Sequence, residues 1–326
     1  MSTEPTPSPS PARLERTFEA PAEMIWELWT TAAGLEEWRA PDGFETRVSN
    51  LELRPGGELR YTMTATAPEQ IAFVRNLGLP LSNEFRRTFT ELVPLPAKGR
   101  VYEGTAKPGL ADCAPSGRVR LDTIARWLQD VAYGDVADAA VADVAVWVVR
   151  RTRIRVERFP RFGELCRLQT FCSGFGRAWA ERRTVISSED GDAAAVDAVS
   201  LWVHLDPATR RPFPLTPREI DLYGESAGRR RVTARLRHAG PGSADNARRW
   251  TFRATECDLA GHINNSAYWQ PVEEELLLSG DEPEAFDAET EFRNPAQPGD
   301  KLVISDGARR WIVSADGEVH ASLLLS

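Results

Sequence analysis

Between Asp258 and Trp269 the chain reads DLAGHINNSAYW, a carboxylate, an imidazole and two amides just ahead of an aromatic pair. The chain holds only four histidines, so His262 so soon after Asp258 points to a specific chemistry, the activation of water. An imidazole can orient or deprotonate water near neutral pH, and a carboxylate can fix its tautomer or act as the base. Gly261 lets the backbone turn tightly and lets a substrate approach a peptide N–H. Asn264 or Asn265 suits the start of a helix, where N–H groups can stabilise a developing oxyanion. Glu273, two helical turns past Asn265, offers a second carboxylate, with Glu274 as an alternative. Each residue also has a structural use. Asp258 and Asn264 are helix-cap types, His262 suits a buried hydrogen-bonded position, and Glu273 to Glu275 can form a solvated helix face.

These residues need a scaffold, and 326 residues with 42% hydrophobic content suffice for two or three domains with their own cores. A net charge of −8 argues against nucleic acid as the main partner. No apolar run approaches the ~20 residues that a membrane-spanning helix needs, so no membrane partner is expected. Residues 1–12 are rich in Pro, Ser and Thr and lack the apolar core of a signal peptide. They are expected to be a disordered tail on a cytoplasmic protein. Cys113, Cys166, Cys172 and Cys257 form no C-x-x-C pair and have no histidine at zinc-ligand spacing. Reduced thiols are expected, and neither a metal nor a cofactor.

Three segments follow the tail. Residues 13–99 begin with a strand-like RLERTFEA, then the helical PAEMIWELWT and AAGLEEW. The strands FETRVSNLEL and ELRYTMTAT flank a turn at Arg54-Pro55-Gly56-Gly57, and EFRRTFTELVPL reads as another strand. Residues 100–240 hold an amphipathic helix with Val119, Leu121, Ile124, Leu128 and Val131 on its buried stripe, then long strand-like runs from Ala145 to Pro207. Residues 241–326 repeat that rhythm in shorter form, with Pro271 bending the helix or marking an irregular first turn. LTPREIDLYGESAGRRRV, between the halves, reads as a polar connector. The pattern is α+β.

The rhythm is an internal repeat. ADCAPSGRVRL (Ala111 to Leu121) lies over TECDLAGHINN (Thr255 to Asn265), with Gly117 on Gly261 and Cys113 on Cys257. Further on, Gln129 falls on Glu273 and Asp130 on Glu274. The first copy has Ala114 and Arg118 where the second has Asp258 and His262. Acid–imidazole chemistry therefore belongs to the second copy, and the first is a scaffold that contributes cavity wall.

The words ERTFEAPAEMIWELWT, LEEWRAPDGF and LRPGGELRYTM resemble the START-like (SRPBCC) superfamily, in its branch of heat-shock-protein ATPase activators. The resemblance implies a helix-grip fold, here partial, because the family's long C-terminal helix is missing. The words SGRVRLDTIARWLQDVAYGD, WVVRRTRIRVERFPRFGE, SGFGRAWAERRT, LWVHLDPATRRP and CDLAGHINNSAYW resemble the acyl-acyl-carrier-protein (acyl-ACP) thioesterases. That resemblance spans residues 100–326 and implies a tandem double hotdog, with antiparallel sheets wrapped around central helices. It also implies hydrolysis of a fatty acyl thioester on ACP or coenzyme A, in fatty acid metabolism, and a possible homodimer.

By this resemblance Asp258 and His262 activate the water, and Gly261, Asn264, Asn265 and Tyr268 form the substrate site, with Tyr268 lining the acyl tunnel. The family's plant members carry an Asn between the Asp and the His, where Ala260 stands here. They also carry an acidic residue after a glutamate-aromatic-arginine word, where Pro295 follows Glu291-Phe292-Arg293. Glu273 on the helix is then expected to supply the missing carboxylate. The arginines Arg150, Arg151, Arg153, Arg155, Arg158 and Arg161, with Arg229 to Arg231, Arg248 and Arg249, could steer an acidic carrier protein. Two alternatives stand beside this reading. One is a catalytically weakened or inactive acyl-binding hotdog protein, and the other is small-molecule binding by the START-like segment.

Overall fold

A computed structural model describes residues 22–38, 44–54, 59–65 and 89–326, apart from 143, 189–193, 229, 243–246 and 281. The expected tail, the strand at 13–20, the turn residues Pro55, Gly56 and Gly57, and the start of EFRRTFTELVPL lie outside these residues. The described remainder of that last word, 89–95, forms no strand. The chain divides into two units, residues 1–64 and 65–326.

In the first unit, helices α1 (Ala22–Thr30) and α2 (Ala32–Trp38) precede the paired strands β1 (Phe44–Leu51) and β2 (Leu59–Ala65). Leu35 of α2 is buried, and the Glu36 carboxylate accepts the Val48 N–H at 2.7 Å, which ties α2 to β1.

The second unit is built on one ten-stranded antiparallel sheet. Its first-half strands are β3 (Tyr102–Ala106), β4 (Val146–Val156), β5 (Cys166–Phe175), β6 (Trp179–Ser188) and β7 (Ala194–Leu205). The second half supplies β8 (Ala247–Phe252), β9 (Phe286–Phe292), β10 (Gly299–Asp306), β11 (Arg309–Val313) and β12 (Val319–Leu325). The order β3-β5-β6-β7-β4-β9-β12-β11-β10-β8 is the same five-strand arrangement twice, related by a pseudo-two-fold axis between β4 and β9. There the halves pair directly, from Arg151 opposite Glu291 to Val156 opposite Phe286. Arg153 adds two hydrogen bonds to Asp287, at 2.9 and 2.6 Å. This is the expected double hotdog.

Each half sends its chain from the edge strand through a tight turn into a central helix. In the first half that helix is α3 (Leu121–Asp138), and the expected stripe of Val119, Leu121, Ile124, Leu128 and Val131 is buried. These residues share one core with Ile154, Leu168, Ile186 and Val196 of the sheet, and with Tyr268, Trp269 and Val272 of the second half. Burying that stripe is the main hold on α3, because its N-cap residue Arg120 makes no side-chain cap.

The segment read as a polar connector is in fact largely a helix, α4 (Pro217–Ala227). Its start signal is local. Thr216 accepts the Glu219 N–H, Glu219 accepts the Thr216 N–H, and Pro217 fills the first helical position. Gly228 closes the helix with φ of +56°.

Beyond α4, residues 230–239 form an extended strap that engages the strands in nearly their spatial order. Arg230 pairs with Glu181 of β6, and Trp179 of β6 donates to the Val232 carbonyl at 2.8 Å. Arg151 of β4 donates to the Arg235 carbonyl at 2.9 Å. Glu291 of β9 accepts the N–H groups of Arg237 and His238 at 2.5 and 3.0 Å, and Trp311 of β11 donates to the Ala239 carbonyl at 2.9 Å. An extended segment of this length reaches about 33 Å, enough to cross six or seven strands spaced ~4.8 Å apart. Among the described residues, no helix is long and apolar enough to cross a membrane.

α4 is anchored to the sheet by a buried His204–Glu219 pair, with Nε2 and Oε1 3.3 Å apart. Burial opposes charge on His204, but the Glu219 carboxylate and the Phe213 carbonyl outweigh it and raise the imidazole above its ordinary 6.5. Burial likewise opposes charge on Glu219, yet His204 and Thr216 hold it below its ordinary 4.5. A raised histidine stabilises fully below its unfolded pKa, and that gain fades as pH rises through the folded value. A lowered glutamate stabilises above its unfolded pKa, and that gain fades as pH falls through the folded value. Both contributions are complete between pH 4.5 and 6.5. Thermal unfolding followed from pH 5 to 9 should show Tm falling above about pH 6.5, and His204→Gln should flatten that slope.

Candidate active site

The two turns of the repeat match bond for bond. In the first, Gly117 N–H donates to the Ala114 carbonyl at 2.9 Å, Ala114 N–H to Arg118 at 2.8 Å, and Arg120 N–H to Asp112 at 3.0 Å. In the second, Gly261 N–H donates to Asp258 at 3.0 Å, Asp258 N–H to His262 at 3.0 Å, and Asn264 N–H to Glu256 at 2.8 Å. Cys113 bridges Val119 as Cys257 bridges Ile263. Gly117 and Gly261 have φ of +84° and +76°, and an added Cβ would meet nothing within 4 Å at either. The left-handed backbone is therefore what calls for glycine here.

In the second turn the Asp258 carboxylate is held at both oxygens. Oδ1 accepts the Ala260 N–H at 2.8 Å, and Oδ2 accepts the Asn264 side-chain N–H at 3.1 Å. Asn264 is also the N-cap of a 3-10 helix (Asn265–Trp269), its Oδ1 accepting Ser266 N–H at 2.9 Å and Ser266 O–H at 2.7 Å. That helix runs straight into α5 (Gln270–Ser279), and Pro271 falls in the first turn of α5, where a missing N–H breaks no helical bond. Asn264 carries the cap as expected, and holds Asp258 as well.

Asp258 and His262 share only a backbone hydrogen bond, and their side chains bond elsewhere. His262 Nδ1 lies 3.2 Å from the Ile263 carbonyl, so the proton is assigned to Nδ1 and Nε2 is left as an acceptor. Both side chains are partly exposed. Where the 3-10 helix begins, Asn265 borders a narrow cleft whose cavity volume is about 10 Å³. Asn265 and Gln129 stand on its wall, and Leu128, Val149, Trp202, Trp269 and Phe292 make most of the rest apolar.

Two of the expected site residues are placed differently. Tyr268 is buried in the core beside Phe252 and Phe292, and its hydroxyl accepts the Ala296 N–H at 2.9 Å. Burial pushes its phenol up to about 12, and it is Trp269 that lines the cleft. An aromatic following a cap can turn either way, and here the core claimed it. Glu273 is also buried, at the far turn. It takes Arg118 at 2.8 Å and accepts the Leu121 N–H at 2.9 Å, at the start of α3. Asn264 meets α3 at Gln129, about 12 Å farther along its axis at ~1.5 Å per residue. The Glu273 carboxylate is thus out of reach of the Asp258 turn.

The pseudo-two-fold axis accounts for this. In an isologous contact, a pairing of one copy's helix with the other's turn must occur twice. Glu273 meets the first turn, and Gln129, its counterpart in the repeat, meets the second. Gln129 escaped the sequence reading although it had been placed opposite Glu273. Only the axis shows that the two positions exchange turns.

The arginines expected to form a carrier-docking patch are largely engaged within the chain. Arg153 holds Asp287, Arg158 holds Glu164, Arg230 holds Glu181, Arg248 holds Glu274 and Glu275, and Arg249 holds Asp300. Arg151 is buried, and Arg150 donates to the carbonyls of Phe292 and Arg293. Strand arginines here bind neighbouring strands and the strap. His238, Glu289 and Glu291 bring three potential metal-ligand atoms within 4.8 Å. Glu291 already accepts two N–H groups, and Glu289 accepts the Thr90 N–H at 2.7 Å. Burial would raise the Glu289 carboxyl, but His238, Arg151 and Arg237 hold it down at about 2. A carboxylate already compensated by arginine side chains is a poor cation site.

Residues 105–223 match the family model of the acyl-ACP thioesterase N-terminal domain, and residues 19–77 match that of activator of Hsp90 ATPase homolog 1-like proteins. Both resemblances drawn from the sequence are met. An uncharacterized protein of Mycobacterium tuberculosis (strain H37Rv) is 28% identical over 240 residues, 72% of this chain and 95% of that protein. A crystal structure described as an oleoyl thioesterase from Lactobacillus plantarum aligns with TM-score 0.58 and 18% identity, over 71% of this chain and 97% of the other. The 12:0-ACP thioesterase from Umbellularia californica aligns with TM-score 0.57 and 17% identity, over 69% and 96%. At these identities the structural likeness fixes the fold, the double hotdog.

Arg118 forms a buried ion pair with Glu273 and holds the more exposed Glu282 as well, so removing Glu273 leaves a buried cation with its peripheral partner alone. Glu273→Gln should lose about 3–5 kcal/mol in urea unfolding, whereas the double variant Arg118→Leu/Glu273→Leu should regain most of that loss.

Proposed function

We propose that the chain is a thioesterase that hydrolyses fatty acyl thioesters, with acyl-ACP as substrate and acyl-coenzyme A as a second carrier. The observation that carries this reading is the Asp258 carboxylate, held by two donors at a turn whose next helix opens onto a mostly apolar cleft. The family match over residues 105–223 supports the thioester class, and the Umbellularia protein of the same fold is named for a 12:0-ACP substrate.

In the proposed reaction the acyl chain parts the apolar walls of the narrow cleft as it binds, and the thioester carbonyl lies near Asn265. Asp258 takes a proton from water as the water oxygen attacks the carbonyl carbon. His262 orients that water through Nε2. The Asn265 N–H, at the start of the 3-10 helix, is the donor proposed to meet the negative charge that gathers on the carbonyl oxygen. On collapse the C–S bond breaks, the carboxylic acid is released, and the thiolate takes the proton back from Asp258. Glu273 has no part in these steps, and Tyr268 acts by holding the 3-10 helix to Ala296.

The absence of an Asn at position 260 favours a second reading, a weakened acyl-binding protein. In this chain the amide on Asp258 comes from Asn264 and the backbone of Ala260, which keeps the carboxylate held without that Asn. The test is a thioesterase assay on acyl-ACP and acyl-coenzyme A across chain lengths. Asp258→Asn should lower kcat by about 10²–10⁴-fold, and His262→Ala by less. Glu273→Gln should retain turnover per folded molecule. Full activity in Asp258→Asn, or no turnover by the wild type, would overturn the proposal.

A further inference from the structure

Gln129 belongs to the first-half helix and has no acid–base chemistry of its own, yet among the described residues it alone makes side-chain hydrogen bonds to the Asp258 turn from the other half. Its Nε2 donates to Asn264 Oδ1 at 3.0 Å, and its Oε1 accepts from Asn264 Nδ2 at 3.1 Å. The two primary amides therefore pair face to face. The second hydrogen on Asn264 Nδ2 goes to Asp258 Oδ2 at 3.1 Å, so both hydrogens are used. Asn264 cannot rotate or flip without losing Gln129, Asp258 and Ser266 together.

We infer that Gln129 is a positioning residue for hydrolysis, setting the Asp258 carboxylate through Asn264 from the opposite half of the molecule. The inference rests on the thioesterase reading above. The chemistry of the side chain at this position decides which of the two quasi-equivalent turns can work. At the first turn the counterpart is Glu273, an anion that is consumed by Arg118 and the Leu121 N–H, and no carboxylate occupies the Asp258 position, which is Ala114. At the second turn, a carboxylate in place of Gln129 would stand one residue away from Asp258 and repel it. A neutral amide supplies a donor and an acceptor without adding charge. Gln129 also lines the cleft proposed to take the acyl chain. The base and the chain-binding wall are thereby registered to each other by one side chain.

The test compares Gln129→Leu, which keeps comparable bulk on α3 but has no amide, with Asn264→Ala and the double variant. In steady-state assays on acyl-ACP, Gln129→Leu should lower kcat by ~100-fold, the scale of a 1 Å misplacement, with KM changed far less. The double variant should lose no more than the worse single variant, because both break the same chain of contacts. A crystal structure of Gln129→Leu should show Asn264 Nδ2 withdrawn from Asp258 Oδ2, and this readout needs no turnover. An unchanged kcat, a pure rise in KM, or Asn264 still bonded to Asp258 in the variant would overturn the inference. Absence of turnover in the wild type would instead overturn the thioesterase reading, leaving the positioning claim to the Asn264–Asp258 distance alone.

Discussion

Each central helix of the second unit begins against a side chain that the other half supplies, and the rest of the site follows from that exchange. α3 starts at Leu121 under the Glu273 carboxylate, and the 3-10 helix before α5 starts at Asn264 beside the Gln129 amide. Neither contact can form within one half. The direct pairing of β4 with β9 brings the helices into register, and the shared core of Leu128, Tyr268 and Trp269 keeps them there. Two folded halves held apart would leave Glu273 buried without a cation and Asn264 with one amide partner fewer.

The exchange is symmetric in geometry and asymmetric in chemistry. At one turn, Arg118 lies between Glu273 and Glu282 and over the Phe159 ring, so charge is neutralised internally and the turn is closed. At the other, Asp258 keeps an exposed edge and its partners are neutral amides and a peptide N–H. A repeat that kept carboxylates at both helix positions would place two acids at the second turn. Substituting an amide at Gln129 relieves this at no structural loss, since the contact geometry of the axis is retained.

The opposite face of the sheet is organised by charge as well. The strap after α4 gives its backbone N–H and C=O groups to Glu291, Arg151 and Trp311, so a segment without secondary structure still has its polar groups answered. That use explains the arginine-rich strands better than an external partner does. Charged groups on β4, β6 and β9 are spent on tying linker and halves together.

Much of the architecture was legible in the chain because it rests on local signals. The stripe on α3, the turn glycines Gly117 and Gly261, and the alternation of the strand runs are each fixed by neighbours close in sequence. So are the Asn264 cap and the irregular first turn at Pro271. The α4 helix had its own local signal in Thr216-Pro217-Arg218-Glu219, outweighed by the polar composition around it. Sequence also confined Asp258 and His262 to one copy of the repeat. What it left open was which way side chains point and which copy they face. Tyr268 entered the core, Glu273 crossed to the far turn, and Gln129 came to the near one, because these contacts are made across a pseudo-two-fold axis between residues far apart in the chain. Periodicity along a helix places a side chain on a face, and only the packing of the two halves decides what that face meets.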